Sequence, residues 1–190
     1  MRKKTRIPKR EELIQTGAKL FAKNGFHATG VDTIAEQSGV TKKTLYSHFR
    51  SKEELVLAVL HHYDSLARNE FMRRVEAAAK TPKARLLAIF DVAEHWFRQT
   101  NFFGCLFINA IGEYSATETP IRQVCMEYKR LLKGYIRGLC EQAGADNAEK
   151  LAEEIALLLE GATVTAQVSQ QPKAAKVAKG VAKALVEKAI

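Results

Sequence analysis

The stretch Thr29–Leu55, TGVDTIAEQSGVTKKTLYSHFRSKEEL, decides the fold. It reads as two short helices joined by a glycine turn, followed by the start of a longer helix. Thr29 and Asp32 have capping-box spacing, which places a helix start near Gly30. Ile34 and Ala35 give that helix a small apolar face. Gly39 suits the left-handed conformation that ends a helix and turns the chain. Thr41 then caps a second helix over Lys42–Phe49. Its strongly apolar residues, Leu45 and Phe49, are four apart and share a face. Lys43 and Ser47 point the opposite way, Thr44 and Tyr46 lie on the flanks, and Lys42 sits at the helix tip. One face buries and the other offers cations, hydroxyls and an aromatic ring. An ordinary solvated helix with a two-residue stripe would share this pattern. The sharper reading is a helix-turn-helix whose second helix enters a major groove.

Upstream, a helix from about Pro8 to Asn24 carries Leu13, Ile14, Ala18, Phe21 and Ala22 at helical spacing, and Gly25 ends it. Phe21, Phe26, Ile34, Leu45 and Phe49 are the expected core of a three-helix unit. Residues 2–9 form a basic arm. Ser51 and Glu54 make a second capping box, which opens a long helix reaching about Lys80. Leu55, Val56, Val59, Tyr63, Leu66, Phe71 and Val75 mark its expected buried side. Further helices follow Thr81-Pro82, Gly104, Thr119-Pro120, Asn147 and Pro172. No stretch alternates as a strand, so the chain is expected to be all-α with about nine helices.

Charge separates the chain into two parts. The net charge is +9, and residues 1–52 hold 12 Lys+Arg against 4 Asp+Glu, while residues 53–190 hold 18 against 17. The cationic excess coincides with the helix-turn-helix, so a polyanion is its expected partner. The chain is 46% hydrophobic, with no apolar run of about 18 residues and no signal-peptide pattern. A cytoplasmic protein without a membrane partner is expected. Cys105, Cys125 and Cys140 show no zinc-ligand spacing and read as reduced thiols. No phosphate loop, dinucleotide glycine pattern or metal-spaced His pair occurs. No enzyme activity, metal or cofactor is expected. Glu113 and Glu118 read as solvated loop carboxylates rather than a catalytic pair.

Phe21, Gly25, Phe26, Thr29, Ile34, Ala35, Gly39, Val40, Thr41, Lys42, Leu45, Tyr46, Phe49, Ser51, Lys52, Glu53 and Leu55 resemble the DNA-binding segment of the TetR family of bacterial transcription regulators. The run GVTKKTLYSHFRSKEEL is its most specific part. The resemblance departs at Lys43, where the family usually has a small residue. It implies a helix-turn-helix DNA-binding domain over 1–50 and a helical effector-binding and dimerisation domain over 51–190. It also implies a repressor that binds a palindromic operator in double-stranded DNA as a homodimer and is released by a small organic effector. Lys42, Lys43, Thr44, Tyr46 and Ser47 are expected to face the major groove. Thr29, Thr41, His48 and Lys52 are expected to bind phosphates beside helix N-termini.

The aromatic segment from Trp96 to Tyr135 is either plain core or a pocket lining. The resemblance favours the pocket, with Trp96, Phe103, Phe107, Asn109 and Tyr128 as ligand contacts. Cys105, following Gly104 near a helix start, is expected to be mainly a packing residue. A thiol-based electrophile or oxidant sensor is the alternative. An architectural DNA-binding protein without a ligand is a further one. Leu151, Ile155, Leu158, Ala162 and Ala166 form a near-heptad row with Gly161 beside it. This row and the Val177, Val181, Leu185 face of the last helix are the expected dimer contacts, since the resemblance implies a four-helix interface.

Overall fold

The computed structural model describes residues 8–116 and 118–190. Of the basic arm expected at residues 2–9, residues 2–7 lie outside the described residues, and Lys9 begins α1 instead. Nine α-helices and no strand occur among the described residues: α1 (Lys9–Asn24), α2 (Val31–Gln37), α3 (Lys42–His48), α4 (Lys52–Ala78), α5 (Pro82–Phe97), α6 (Leu106–Glu113), α7 (Pro120–Gln142), α8 (Ala148–Ser169) and α9 (Lys173–Ala189). The starts follow local chemistry. Thr81 Oγ1 accepts from Ala84 N at 3.2 Å with Pro82 next in line, and Asn147 Oδ1 accepts from Lys150 N at 3.0 Å. Each satisfies one of the amides that a helix start leaves without an intrahelical partner.

The chain divides into two compact units, one of residues 1–65 with 106–125 and the other of 66–105 with 126–190. The first holds α1, α2, α3, α6 and the openings of α4 and α7. The five residues expected as its three-helix core, Phe21, Phe26, Ile34, Leu45 and Phe49, are all buried. Phe21 and Phe26 stack with centroids 4.9 Å apart. A Cβ on Gly17 would stand 3.2 Å from Val59 Cγ2, so α1 and α4 lie close there.

The second unit has its own core, in which α5 packs on α8 and α9. It corrects two expectations. Leu151, Ile155, Ala162 and Ala166 are buried inside the chain and belong to this core rather than to a free dimer face. The exposed large apolar residues of α8 are Leu157, Val164 and Val168, and those of α9 are Val177 and Val181. Leu66, expected on the buried side of α4, is 59% exposed.

Gly104 is fixed by both conformation and space. Its φ is +83°, and an added Cβ would overlap the Gln167 side-chain amide. Gly104→Ala is expected to lower stability by about 1–3 kcal/mol, the scale of overpacking, read as a lower urea midpoint at unchanged slope.

Candidate nucleic-acid interface

The local sequence shapes the reading head. Thr41 Oγ1 accepts from Thr44 N at 3.1 Å and caps α3. Gly39, at φ +62°, makes the turn out of α2. Leu45 and Phe49 anchor α3 from beneath, at 0% and 1% exposure. Lys42, Lys43, Tyr46, Ser47 and His48 are exposed, and Thr44 is half-buried. The helix thus displays the polar face expected of it.

Several of these side chains have internal partners, among them Thr44, whose Oγ1 lies 2.9 Å from Thr41 Oγ1. Lys42 Nζ pairs with Asp32 Oδ1 of α2 at 2.9 Å. The Asp32 carboxylate holds the Lys42 ammonium above its ordinary pKa, by hydrogen bonding first and charge second. Ser47 Oγ donates to Thr44 O at 2.7 Å. The Lys42–Asp32 pair and the Ser47 hydroxyl are both exposed to solvent, and a surface ion pair is screened by water and holds its side chains only weakly.

Thr29 requires a correction. It does not cap α2, whose N-cap is Gly30 without a side-chain bond. Its hydroxyl donates to Gly25 O at 2.6 Å, and the residue is 2% exposed. A carbonyl four residues back captures the hydroxyl, so Thr29 shapes the α1–α2 turn and presents no side chain to a phosphate.

The second capping box forms in a variant way. Glu54 N donates to Ser51 Oγ at 3.2 Å, and Glu54 Oε2 accepts from Arg50 N at 2.7 Å. Lys52, at the first turn of α4, donates to His27 O at 3.2 Å. The Glu53 carboxyl lies below its ordinary pKa, through its backbone amide first and Ser51 second. Arg10 escapes sequence reading: its guanidinium sits 5.1 Å over the Phe49 ring. A cation on α1 meeting an aromatic at the end of α3 has no signature in sequence spacing.

Glu113 is not a solvated loop residue. It ends α6, and its two carboxylate oxygens accept from Phe26 N at 2.7 Å and His27 N at 2.6 Å. Glu118 is exposed.

The expected effector residues fall in different units. Phe107 and Asn109 lie on α6 in the first, and Phe107 is buried with its ring 5.9 Å from that of Tyr63. Trp96, Phe103 and Tyr128 lie in the second and are half-buried. Trp96 meets Phe102 edge-on at 5.0 Å and Phe97 at 5.6 Å. Cys105, Cys125 and Cys140 are free thiols and all buried. Burial pushes the Cys140 thiol up to about 11. Cys105 itself is 7% exposed, which favours its packing reading. No group of three or more metal-ligating side chains occurs among the described residues. No helix among them is long and apolar enough to cross a membrane.

Comparison with known proteins agrees with this geometry. Residues 13–59 match the family described as "Bacterial regulatory proteins, tetR family", and residues 82–181 match "Tetracyclin repressor-like, C-terminal domain". The chain is 34% identical over 129 residues to the uncharacterized HTH-type transcriptional regulator YerO of Bacillus subtilis, covering 66% of this chain and 44% of that protein. It is 38% identical over 100 residues to the HTH-type transcriptional activator FasR of Mycolicibacterium smegmatis, covering 50% and 46%. The chain therefore spans under half the length of these two relatives. It is 26% identical to the HTH-type transcriptional regulator BetI of Rhizobium meliloti, over 86% of this chain and 80% of that one. SCO4454, a TetR-family regulator from Streptomyces coelicolor, shares the fold at TM-score 0.86 and 23% identity, covering 95% of this chain and 89% of its own.

Proposed function

Since the chain belongs to the tetR family of bacterial transcription regulators, we propose that it is a repressor that binds a palindromic operator as a homodimer and is released by a small organic effector. Residues 1–50 read DNA, and residues 51–190 bind the effector and dimerise. The observation that carries the reading is α3. Its apolar pair is buried beneath it while Lys43, Tyr46 and Ser47 stand exposed, on the segment that holds nearly all the net positive charge.

Lys42, Lys43, Thr44, Tyr46 and Ser47 face the base edges. Thr41, His48, Lys52 and the amides at the start of α4 meet phosphates. Effector contacts are Phe107 and Asn109 on α6 and, separately, Trp96, Phe103 and Tyr128. The buried thiols give no support to an oxidant sensor, so effector release is the preferred switch.

Selection from a randomised duplex library tests the reading. The wild-type protein is expected to enrich an inverted repeat; equal retention of all sequences would replace it with an architectural role. On the enriched duplex, Lys43→Ala is expected to alter base preference and to cost about 1–3 kcal/mol for each base pair that Lys43 reads. Lys52→Ala is expected to weaken all sequences alike and to flatten the salt dependence by about one phosphate. An unchanged preference and affinity in Lys43→Ala would remove α3 from the major groove.

A further inference from the structure

The turn between α1 and α2 is built to hold an anion, and the anion is part of the chain. Gly25 stands at φ +88°, and the next two amides, Phe26 N and His27 N, converge on one carboxylate, that of Glu113. Successive backbone N–H groups that converge in this way form a nest for negative charge. Each oxygen takes one amide, at 2.7 and 2.6 Å. The His27 ring also meets Glu113 O through Nε2 at 2.9 Å. A Cβ on Gly25 would approach Glu113 Oε1 to 3.0 Å, so glycine leaves room for the carboxylate as well as making the turn. Tyr114, the following residue, closes the site by packing edge-on against Phe26 and at 4.9 Å from His27.

We infer that Glu113 is the positioning residue of the DNA reader: its carboxylate clamps the α1–α2 turn and through it sets α2 and Lys52. This rests on the DNA-binding reading above. The clamped turn continues into both elements. Gly25 O accepts the Thr29 hydroxyl one residue before the α2 N-cap, and His27 O accepts Lys52 Nζ at the start of α4. A turn held by two charge-assisted bonds at 2.7 and 2.6 Å is ordered before DNA arrives. Without them, DNA must order the turn itself, and affinity falls by that amount. Glu113 touches no base and no phosphate in this scheme, so its loss changes neither base preference nor the number of phosphates neutralised.

The test uses full-length Glu113→Ala, Glu113→Gln and, as a control at an exposed carboxylate, Glu118→Ala. Three quantities are measured: amide hydrogen exchange without DNA, affinity for the duplex that wild type enriches over a range of salt, and base preference by selection from the randomised library. Glu113→Ala is expected to speed exchange at Phe26 and His27 by about tenfold or more, the scale of bonds to a charged group. It is expected to bind the duplex about tenfold more weakly, with the wild-type salt slope and base preference. Glu113→Gln, whose one carbonyl oxygen can serve one amide, should fall between the two, which keeps the test open if the alanine variant folds poorly. Glu118→Ala should match wild type. Unchanged exchange at both amides would overturn the clamp. Faster exchange with unchanged affinity, or a changed salt slope, would overturn the positioning role. If wild type enriched no duplex at all, the DNA-binding reading would fall, while exchange would still decide the clamp.

Discussion

Replacing Leu157 and Val168 by glutamate is expected to leave a folded monomer that binds operator about 10²–10⁴-fold more weakly, the range by which avidity exceeds the affinity of a single half. The two residues are 73% and 81% exposed, so their removal takes nothing from the chain's own core. Exposed positions of this kind shift stability by about 0.5 kcal/mol or less. Yet they are not scattered. Leu157, Gly161, Val164 and Val168 recur at helical spacing along one side of α8, and all four are exposed. Gly161 has open space where a side chain would stand. A mid-helix glycine costs about 1 kcal/mol relative to alanine, and close approach of a partner helix is a reason to retain it. On α9, Val177, Gly180, Val181 and Ala184 are exposed in the same way. Exposed apolar rows on two helices that pack together are what a second copy would cover, provided it buries at least roughly 1,000 Å². Equilibrium sedimentation at micromolar concentration checks the monomer, and titration of the enriched duplex checks the affinity. A double variant that stayed dimeric would move the interface off α8.

The exposed row of α8 also shows where the sequence is legible and where it is not. Helix starts are readable because capping is local: Thr41, Thr81 and Asn147 each accept from the amide three residues on. The three-helix core is readable because its few apolar residues leave one way to bury them. α8 is different. Leu157, Leu158 and Leu159 are consecutive, so the helix is apolar on more than one side, and periodicity alone does not say which side meets the chain's own core. The buried row is Leu151, Ile155, Ala162 and Ala166, and the exposed one starts at Leu157. Glu113 is illegible for another reason. Its partners lie 87 and 86 residues away and are backbone amides, which carry no sequence identity. Thr29 misleads because capping-box spacing does not reveal a competing carbonyl at Gly25.

Effector and operator are expected to oppose each other by about 5–150-fold, the span of typical coupling energies of about 1–3 kcal/mol, and Glu113→Ala is expected to bring that factor close to one. The long helix α4, which follows α3 after three residues, is one route to the reader. The structure adds α6, a helix of 8 residues with Phe107 at its start and Glu113 at its end. A helix of about two turns is expected to move as one piece. Phe107 packs against Tyr63 of α4, so an effector that engages Phe107 or Asn109 shifts α6 against α4. The shift reaches Glu113, and the carboxylate either drags the α1–α2 turn or leaves it. Dimeric readers must reach major grooves about 34–36 Å apart or a multiple of this, so a small displacement of each reader weakens the grip on one half-site. The effector acts only through its preference for the DNA-incompetent arrangement, and linkage then requires operator to weaken effector binding by the same factor. A compound that raises the melting temperature of the wild-type protein serves as the probe. Its affinity is measured by calorimetry with and without the enriched duplex, in wild type and in Glu113→Ala. Equal affinities in wild type would reject the switch for that compound. A factor that persisted undiminished in Glu113→Ala would return the signal to α4 and leave the clamp a purely static support.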